Sequence, residues 1–278
     1  MKVTFPKPLL AHSKTPVLDS IKYPVLMSPK LDGIRCILID GVPHSRAGKV
    51  IPNLFVQREL KDIHNNLILD GELMVDGDFN SVQSAIMSNS GEPDFTFNVF
   101  DVINTQGFST RLRHAQNAVE TFGGRLRLVY HSLVTNAEQA AAKHKEYCAA
   151  GYEGSMVRRP DGEYKHGRST AKQGILLKIK DFSDDEAVIL DVKQLARNLD
   201  TSTKCLHNLV YEDAVGSFTV RWKGKIFNVG SGLKAAQRRE LYAIKDKLVG
   251  KTITFTYQEV TTYGVPRFPV FKGFRGDL

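Results

Sequence analysis

Cysteine is scarce in this chain. Cys36, Cys148 and Cys205 are the three among 278 residues, widely spaced, odd in number and without a CxxC pair. Neither a disulfide framework nor a zinc ribbon is encoded, and the usage fits a reducing, cytoplasmic setting. Long apolar runs are missing as well. No stretch approaches the roughly 18 residues that span a bilayer, and the N-terminal MKVTFPKPLLAHSKTP lacks a basic segment followed by an apolar core, so no leader and no membrane partner are expected. Internal repeats and low-complexity tracts are absent, and the eight histidines show no metal-ligand spacing. A Walker-type phosphate loop is absent too: Gly250-Lys251-Thr252 has Lys245 where the leading glycine belongs.

The composition that is present is globular, with 42% hydrophobic and 24% charged residues. A net charge of +8 favours polyanionic partners, with nucleic acid foremost. Residues 1–182 carry 23 Lys and Arg against 19 Asp and Glu, and residues 183–278 carry 15 against 11, so the shorter part is the more densely basic.

In the first two thirds, short strands alternate with amphipathic helices. The strand candidates are PVLMS, RCILID, LILDGELMV, FTFNVFDVI, GSMVRR and ILLKIKDF, each with β-branched or aromatic residues beside turn signals. Helices are expected over 53–65, 81–88, 109–122 and 136–150, the last opening on a Thr135-Asn136-Ala137-Glu138 capping box and closing at Gly151. Such mixing predicts an α+β domain of mostly antiparallel sheets. The acidic, polar DFSDDE marks a hinge, so the domains are expected at 1–182 and 183–278. The second, with about five strands and one helix over 234–249, has the content of a small Greek-key barrel of OB type.

The chemistry gathers at KLDGIR, residues 30–35, between the apolar runs YPVLM and CILI. An unperturbed lysine is only about 0.04% neutral at pH 7, so a nucleophilic lysine needs partial burial or a cationic neighbour. Lys30, at a strand end with Arg35 nearby, is offered both, while Asp32 can orient the amine and Gly33 permits close backbone approach. Asp70 and Glu72 alternate with Gly71 and face one side of a strand, which on an ordinary surface would be the solvated side. Lys178 and Lys180 share a face, and their repulsion becomes attraction for a phosphate between them. In FTFNVFDVI, Phe97 suits the core and Phe100 suits stacking on a base, but spacing alone does not separate them.

KLDGIR resembles the KxDGxR motif of the covalent nucleotidyltransferases, the ATP-dependent polynucleotide ligases and messenger RNA capping enzymes. Five further segments resemble that superfamily's motifs in order: HSRAG with Arg46, LDGELM with Asp70 and Glu72, FNVFDV with Phe100 and Asp101, YEGSMVR with Glu153, and LLKIK with Lys178 and Lys180. The resemblance implies that Lys30 becomes the adenylated amide and that Arg35, Arg46 and Glu72 hold the ribose and phosphates. It also implies that Phe100 stacks on the adenine, that Glu153 with Asp70 serves Mg2+ or Mn2+, and that Lys178 and Lys180 contact the α-phosphate. Arg168, in HGRST, resembles a position that approaches the phosphate of the nicked strand.

EGSMVR is similar to the ligase form of its motif rather than the capping form, and the alternatives are a GTP-using messenger RNA capping guanylyltransferase or an RNA ligase of the same superfamily. RNA ligases generally depart from the DG and R of KLDGIR, and NAD-dependent DNA ligases add zinc modules. The resemblance therefore points to a minimal two-domain ATP-dependent DNA ligase of phage, viral or bacterial type. It would act as a monomer on nicked duplex DNA in the cytoplasm, that of the host if the chain is viral. The RxDK signature of larger members is replaced by RFPVFKGFRGD, which leaves Arg267, Lys272 and Arg275 as candidates for orienting pyrophosphate or contacting DNA. Trp222 reads as core or as a DNA contact, and Arg221, Lys223 and Lys225 beside it suit phosphates.

Overall fold

The structure, a computed structural model, describes residues 5–64, 66–198 and 209–276. The chain separates into two compact units, Met1–Lys180 and Asp181–Leu278.

The first unit holds strands β1 (Leu9–Leu10), β2 (Val25–Pro29), β3 (Ile34–Ile39), β4 (Val42–His44), β5 (Ile68–Val75), β6 (Phe95–Ile103), β7 (Leu126–Leu128), β8 (Ser132–Val134), β9 (Ser155–Arg158), β10 (Gly167–Arg168) and β11 (Leu176–Ile179). Among them run helices α1 (Leu54–Leu60), α2 (Phe79–Met87), α3 (Phe108–Phe122) and α4 (Ala137–Ala149). Two sheets result, ordered β4-β3-β5-β6-β7 and β11-β9-β2-β8, with β1 and β10 pairing apart from both. Pairing is antiparallel except for β6 with β7 and β1 with β10. The β3–β4 hairpin turns on Asp40 and Gly41, both at positive φ, as a two-residue type I′ turn demands.

Local signals place the helices. Asn53 and Asp78 cap α1 and α2, their side chains accepting from Val56 N and Ser81 N at 3.0 Å; with Asp78 as cap, α2 starts at Phe79, two residues before the expected Ser81. The expected helix over 53–65 stops at Leu60; of its remainder, Asn65 lies outside the described residues. At α4 the cap is Asn136, but its reciprocal partner is Gln139, which accepts from Thr135 N at 3.0 Å in the place expected of Glu138. Gly151, at φ 86°, ends α4 in a Schellman arrangement, with Tyr152 N donating to Tyr147 O.

The larger sheet buries Leu69, Leu73, Phe95, Phe97 and Val99 in one core. A second core joins Val25, Met27, Val157, Leu177 and Ile179 of the smaller sheet to Ala140 and Tyr147 of α4. The opposite face of that smaller sheet carries the chemistry.

The second unit contains β12 (Ser183–Asn198), β13 (Leu209–Trp222), β14 (Lys225–Val229), α5 (Ala235–Ala243), α6 (Lys245–Leu248), β15 (Thr252–Tyr257) and β16 (Val270–Phe274). Its order, β14-β13-β12-β15-β16, returns β15 beside β12 after a meander, which is Greek-key connectivity. The expected OB-type unit is present as an OB-like sheet, but as a barrel it does not close among the described residues, where β14's end and β16 are linked by a single parallel bridge, Ser231 to Val270. Gly230-Ser231-Gly232 interrupts the chain after β14, and a Cβ on Gly232 would collide with Phe271 O. The single expected helix divides at Ile244. Trp222 is buried against Phe227, Phe255 and Tyr257, so the core reading holds.

Candidate active site

Lys30 directly follows β2, and its N–H donates to Gly154 O at 2.9 Å, tying the end of β2 to the entry of β9. This contact brings Glu153 in front of the lysine. Lys30 Nζ donates to Glu153 Oε2, and Lys180 Nζ donates to Oε1 of the same carboxylate. Burial disfavours the Glu153 anion, but the two ammoniums prevail and hold it below the usual carboxylate range. Lys178 is depressed by burial and then by the charges of Lys180, Lys30 and Arg168. Lys180 is also depressed by burial despite its bond to Glu153, and Asp32 favours its charged form. The smaller sheet therefore presents a strip of amines whose mutual repulsion an incoming anion would relieve.

The larger sheet supplies the opposing wall. Arg35 of β3 stands across from Glu72 of β5, and Ile37 across from Asp70. Arg35 grips Asp70 bidentately, Nε to Oδ1 at 2.5 Å and Nη2 to Oδ2 at 2.7 Å, and Nη2 also donates to Leu9 O at 3.2 Å. Tyr164 completes the ring, its hydroxyl donating to Asp70 Oδ2 at 2.6 Å and accepting from Leu9 N at 3.0 Å. Asp70 is 0% exposed with both oxygens engaged, so its expected metal role does not fit: the carboxylate is sealed behind Arg35. Burial opposes the Arg35 cation, and the Asp70 carboxylate more than offsets that, raising its pKa. Burial pushes Glu72 up to about 7, against the opposing charges of Arg35 and Lys30.

Alternation after Phe97 and Val99 turns Phe100 off the core face, and an irregularity in β6 brings Asp101 to the same side. The β5–β6 register runs Asp70 to Asp101 and then Gly71 to Val99, which leaves Phe100 as the extra residue of a bulge. The bulge breaks strict alternation at Asp101, which joins Phe100 off the core face while Phe97 stays fully buried. Arg35 lies over the Phe100 ring at 4.7 Å and Arg158 at 5.3 Å. Asp101 is buried between Arg158 (Nη1 to Oδ2, 2.7 Å) and the fully buried Arg111 (Nε to Oδ1, 2.8 Å).

These walls enclose a cavity of about 290 Å³. Of the expected residues, Lys30, Arg35, Arg46, Glu72, Phe100, Arg168 and Lys178 line it. Arg46 comes from the exposed turn after β4, and Arg168 from β10, anchored by its bond to Ala11 O at 2.7 Å. Glu153 joins through its ion pair with Lys30, and Lys180 through its own with Glu153. Arg267, Lys272 and Arg275 belong to the second unit, where Arg267 pairs with Glu259 at 2.5 Å and Arg275 with Glu186 at 3.2 Å. Sequence reasoning gave no role to the other lining residues, among them Leu10, Ala11, Met156 and Arg158. Alternation in SMVR offered a signal for Met156 and Arg158, since Val157 between them is core. Nothing local marks Leu10 and Ala11, brought in by pairing with a strand about 157 residues away.

The cavity lining sets six cations against one carboxylate, Glu72, beside the apolar surfaces of Phe100, Met156 and Leu176. That combination suits a polyphosphate attached to a flat base.

Comparison with known proteins agrees in scope. The family model described as the ATP dependent DNA ligase domain matches residues 8–180, and that of a DNA ligase OB-like domain matches residues 208–275. Chlorella virus DNA ligase-adenylate is 30% identical, with a TM-score of 0.57, covering 97% of this chain and 99% of its own. A Lig E DNA ligase is 25% identical, with a TM-score of 0.76 and coverage of 98% and 100%. The ATP-dependent DNA ligase of bacteriophage T7, in complex with ATP, is 19% identical with a TM-score of 0.53 over 97% and 98%, a likeness of fold. No curated protein sequence matches.

Proposed function

The chain belongs to the ATP-dependent DNA ligases, and on that premise we propose that Lys30 Nζ is the atom that takes AMP from ATP. The observation that carries this assignment is a lysine at the wall of a cation-lined, base-sized cavity, its amine held by Glu153 beside Lys178 and Lys180. The amine, once deprotonated, attacks the α-phosphorus; an N–P bond forms and the bond to pyrophosphate breaks. AMP then passes to the 5′-phosphate at a nick, and the 3′-hydroxyl attacks that phosphate and expels AMP.

The remaining roles follow from position. Lys178 and Lys180 face the charge that builds on the α-phosphate, where fixed cations act most strongly. Phe100 and Met156 flank the base, Glu72 and Arg46 reach the ribose and phosphates, and Arg168 meets the DNA phosphate at the cavity mouth. Asp70 and Tyr164 act through Arg35, holding its guanidinium for the nucleotide. The donor set fits a hard divalent ion, Mg2+ or Mn2+: Glu153 is kept ionised, and such ions use one or two carboxylates with water and phosphate. Glu153 would hold the ion, which when bound supplies further positive charge at the α-phosphate. In the second unit, Arg267, Lys272 and Arg275 remain candidates for pyrophosphate or DNA contacts, and the monomer is the working state, in the cytoplasm. We keep the domain boundary near residue 182.

Nick sealing tests the reading. A duplex with one 5′-phosphorylated nick should be joined with ATP and Mg2+ but not with GTP. Substrates that differ only in the sugar beside the break will define strand preference. Joining of RNA alone, or turnover with GTP alone, would overturn the assignment in favour of an RNA ligase or a capping guanylyltransferase.

A further inference from the structure

The first unit has a second cavity, of about 440 Å³, that the ligation chemistry does not use. Its floor is the open end of the smaller sheet's core, where Ile21, Val25 and Leu177 meet, with Pro16 and the exposed Val17 beside them. Its rim holds His12, Lys14, Lys22, Arg159 and Lys172, and among the described residues no carboxylate lines it. Two acids stand next to lining residues without joining the lining: Asp19 on the turn between Val17 and Ser20, and Asp161, which accepts from Arg159 Nε at 2.7 Å.

Alternation along the strands puts this cavity on the reverse of the sheet that carries Lys30. Leu176 and Lys178 line the nucleotide cavity while Leu177, between them, lines the second. On β2, Ser28 lines the first and Val25 the second. The partition is thin where β1 pairs with β10: Ala11 and Arg168 face the nucleotide cavity, and His12 and Ala171 face its neighbour. A strand held at Arg168 therefore passes close to the second opening.

We infer that this second cavity is a nucleotide subsite, taking a base on its apolar floor and a phosphate at its basic rim. The volume lies in the range of small-molecule sites, apolar surface with a few charged groups is the usual lining, and a rim of one sign selects an anionic headgroup. His12 offers a ring on which a base can stack. The ligand chemistry has two sources, a nucleotide of a DNA strand beyond the nick or free AMP. The choice of nucleotide rests on the ligase reading; the existence of an amphipathic anion site does not.

Amine footprinting tests it on the full chain, preincubated with ATP and Mg2+ so that the first cavity is filled. Acetylation of Lys14, Lys22 and Lys172 is read by mass spectrometry with exposed Lys145 as the reference, after adding 5′-phosphorylated oligothymidylate, AMP, thymidine or inorganic phosphate. AMP on Lys30 is read in the same sample, so failure of the ligase reading is seen separately.

The expected result is protection of the three rim lysines by the oligonucleotide, by AMP or by both, and the arm that protects identifies the source. Lys22→Glu combined with Lys172→Glu should weaken the protection of Lys14, the rim lysine that remains, by about tenfold or more. Ser20→Trp, which keeps every charge but fills the mouth, should abolish it. No protection in either arm overturns the proposal. So does equal protection by inorganic phosphate alone, or protection that survives both variants.

Discussion

Glu72 and Asp70 stand two residues apart on one strand face and meet different fates. Asp70 is neutralised by a bidentate arginine, whereas Glu72 is desolvated with its opposing charges insufficient, so it titrates at about 7. An unfolded glutamate loses its proton near pH 4.5. Between that pH and about 7 the folded protein holds a proton that the unfolded chain has released, so Glu72's contribution to stability is full below the window and lost across it. Glu72→Gln should flatten the dependence of Tm on pH, leaving the variant relatively more stable than the wild type at pH 8 than at pH 5. Equal shifts at both pH values would contradict the buried, ionisable carboxyl. Tyr164→Phe removes one hydrogen bond to buried Asp70 and one from Leu9 N, at a cost of about 1–3 kcal/mol in stability. Because Asp70 acts through Arg35, the variant should also raise KM for ATP in the adenylation step with a smaller change in kcat. Unchanged KM would reduce Tyr164 to a purely structural role. The motif residues were legible in the sequence because their chemistry is local; the sealing of Asp70 was not, because Leu9 and Tyr164 come from distant segments.

At the scale of elements, the site depends on a bulge and a close approach. Gly154 sits at φ 147°, and a Cβ there would collide with Ile179 O of the neighbouring strand. Gly154→Ala should destabilise the fold and displace Glu153, with loss of adenylation exceeding what the drop in Tm explains; full activity would show that the β9 entry tolerates movement. The α4 cap offers a control away from the chemistry: Asn136→Ala should cost about 1 kcal/mol, measured by denaturant unfolding, with adenylation unchanged. Strand and helix positions were readable from alternation, caps and turns. The bulge at Phe100 was not, because it is a property of the β5–β6 register, and alternation in FTFNVFDVI alone would put Asp101 on the face of Phe97 rather than toward Arg158. The open second sheet escaped the sequence for a related reason, since closure depends on how β14 and β16 meet across Gly230-Ser231-Gly232.

The whole molecule is a basic chain of +8 whose two units each carry excess positive charge. Affinity for nicked duplex should therefore be strongly salt-dependent, and about four neutralised phosphates predict a fall of about a hundredfold between 50 and 200 mM salt. Affinity indifferent to salt would require contacts other than phosphate. The central claim concerns one atom. Incubation with α-labelled ATP and Mg2+, followed by proteolysis and mass spectrometry, should find an acid-labile, protein-bound AMP on Lys30 Nζ alone, with no label from α-labelled GTP and none on Lys30→Ala. Label that persists on the Lys30→Ala protein, or maps to Lys178 or Lys180, would contradict the account.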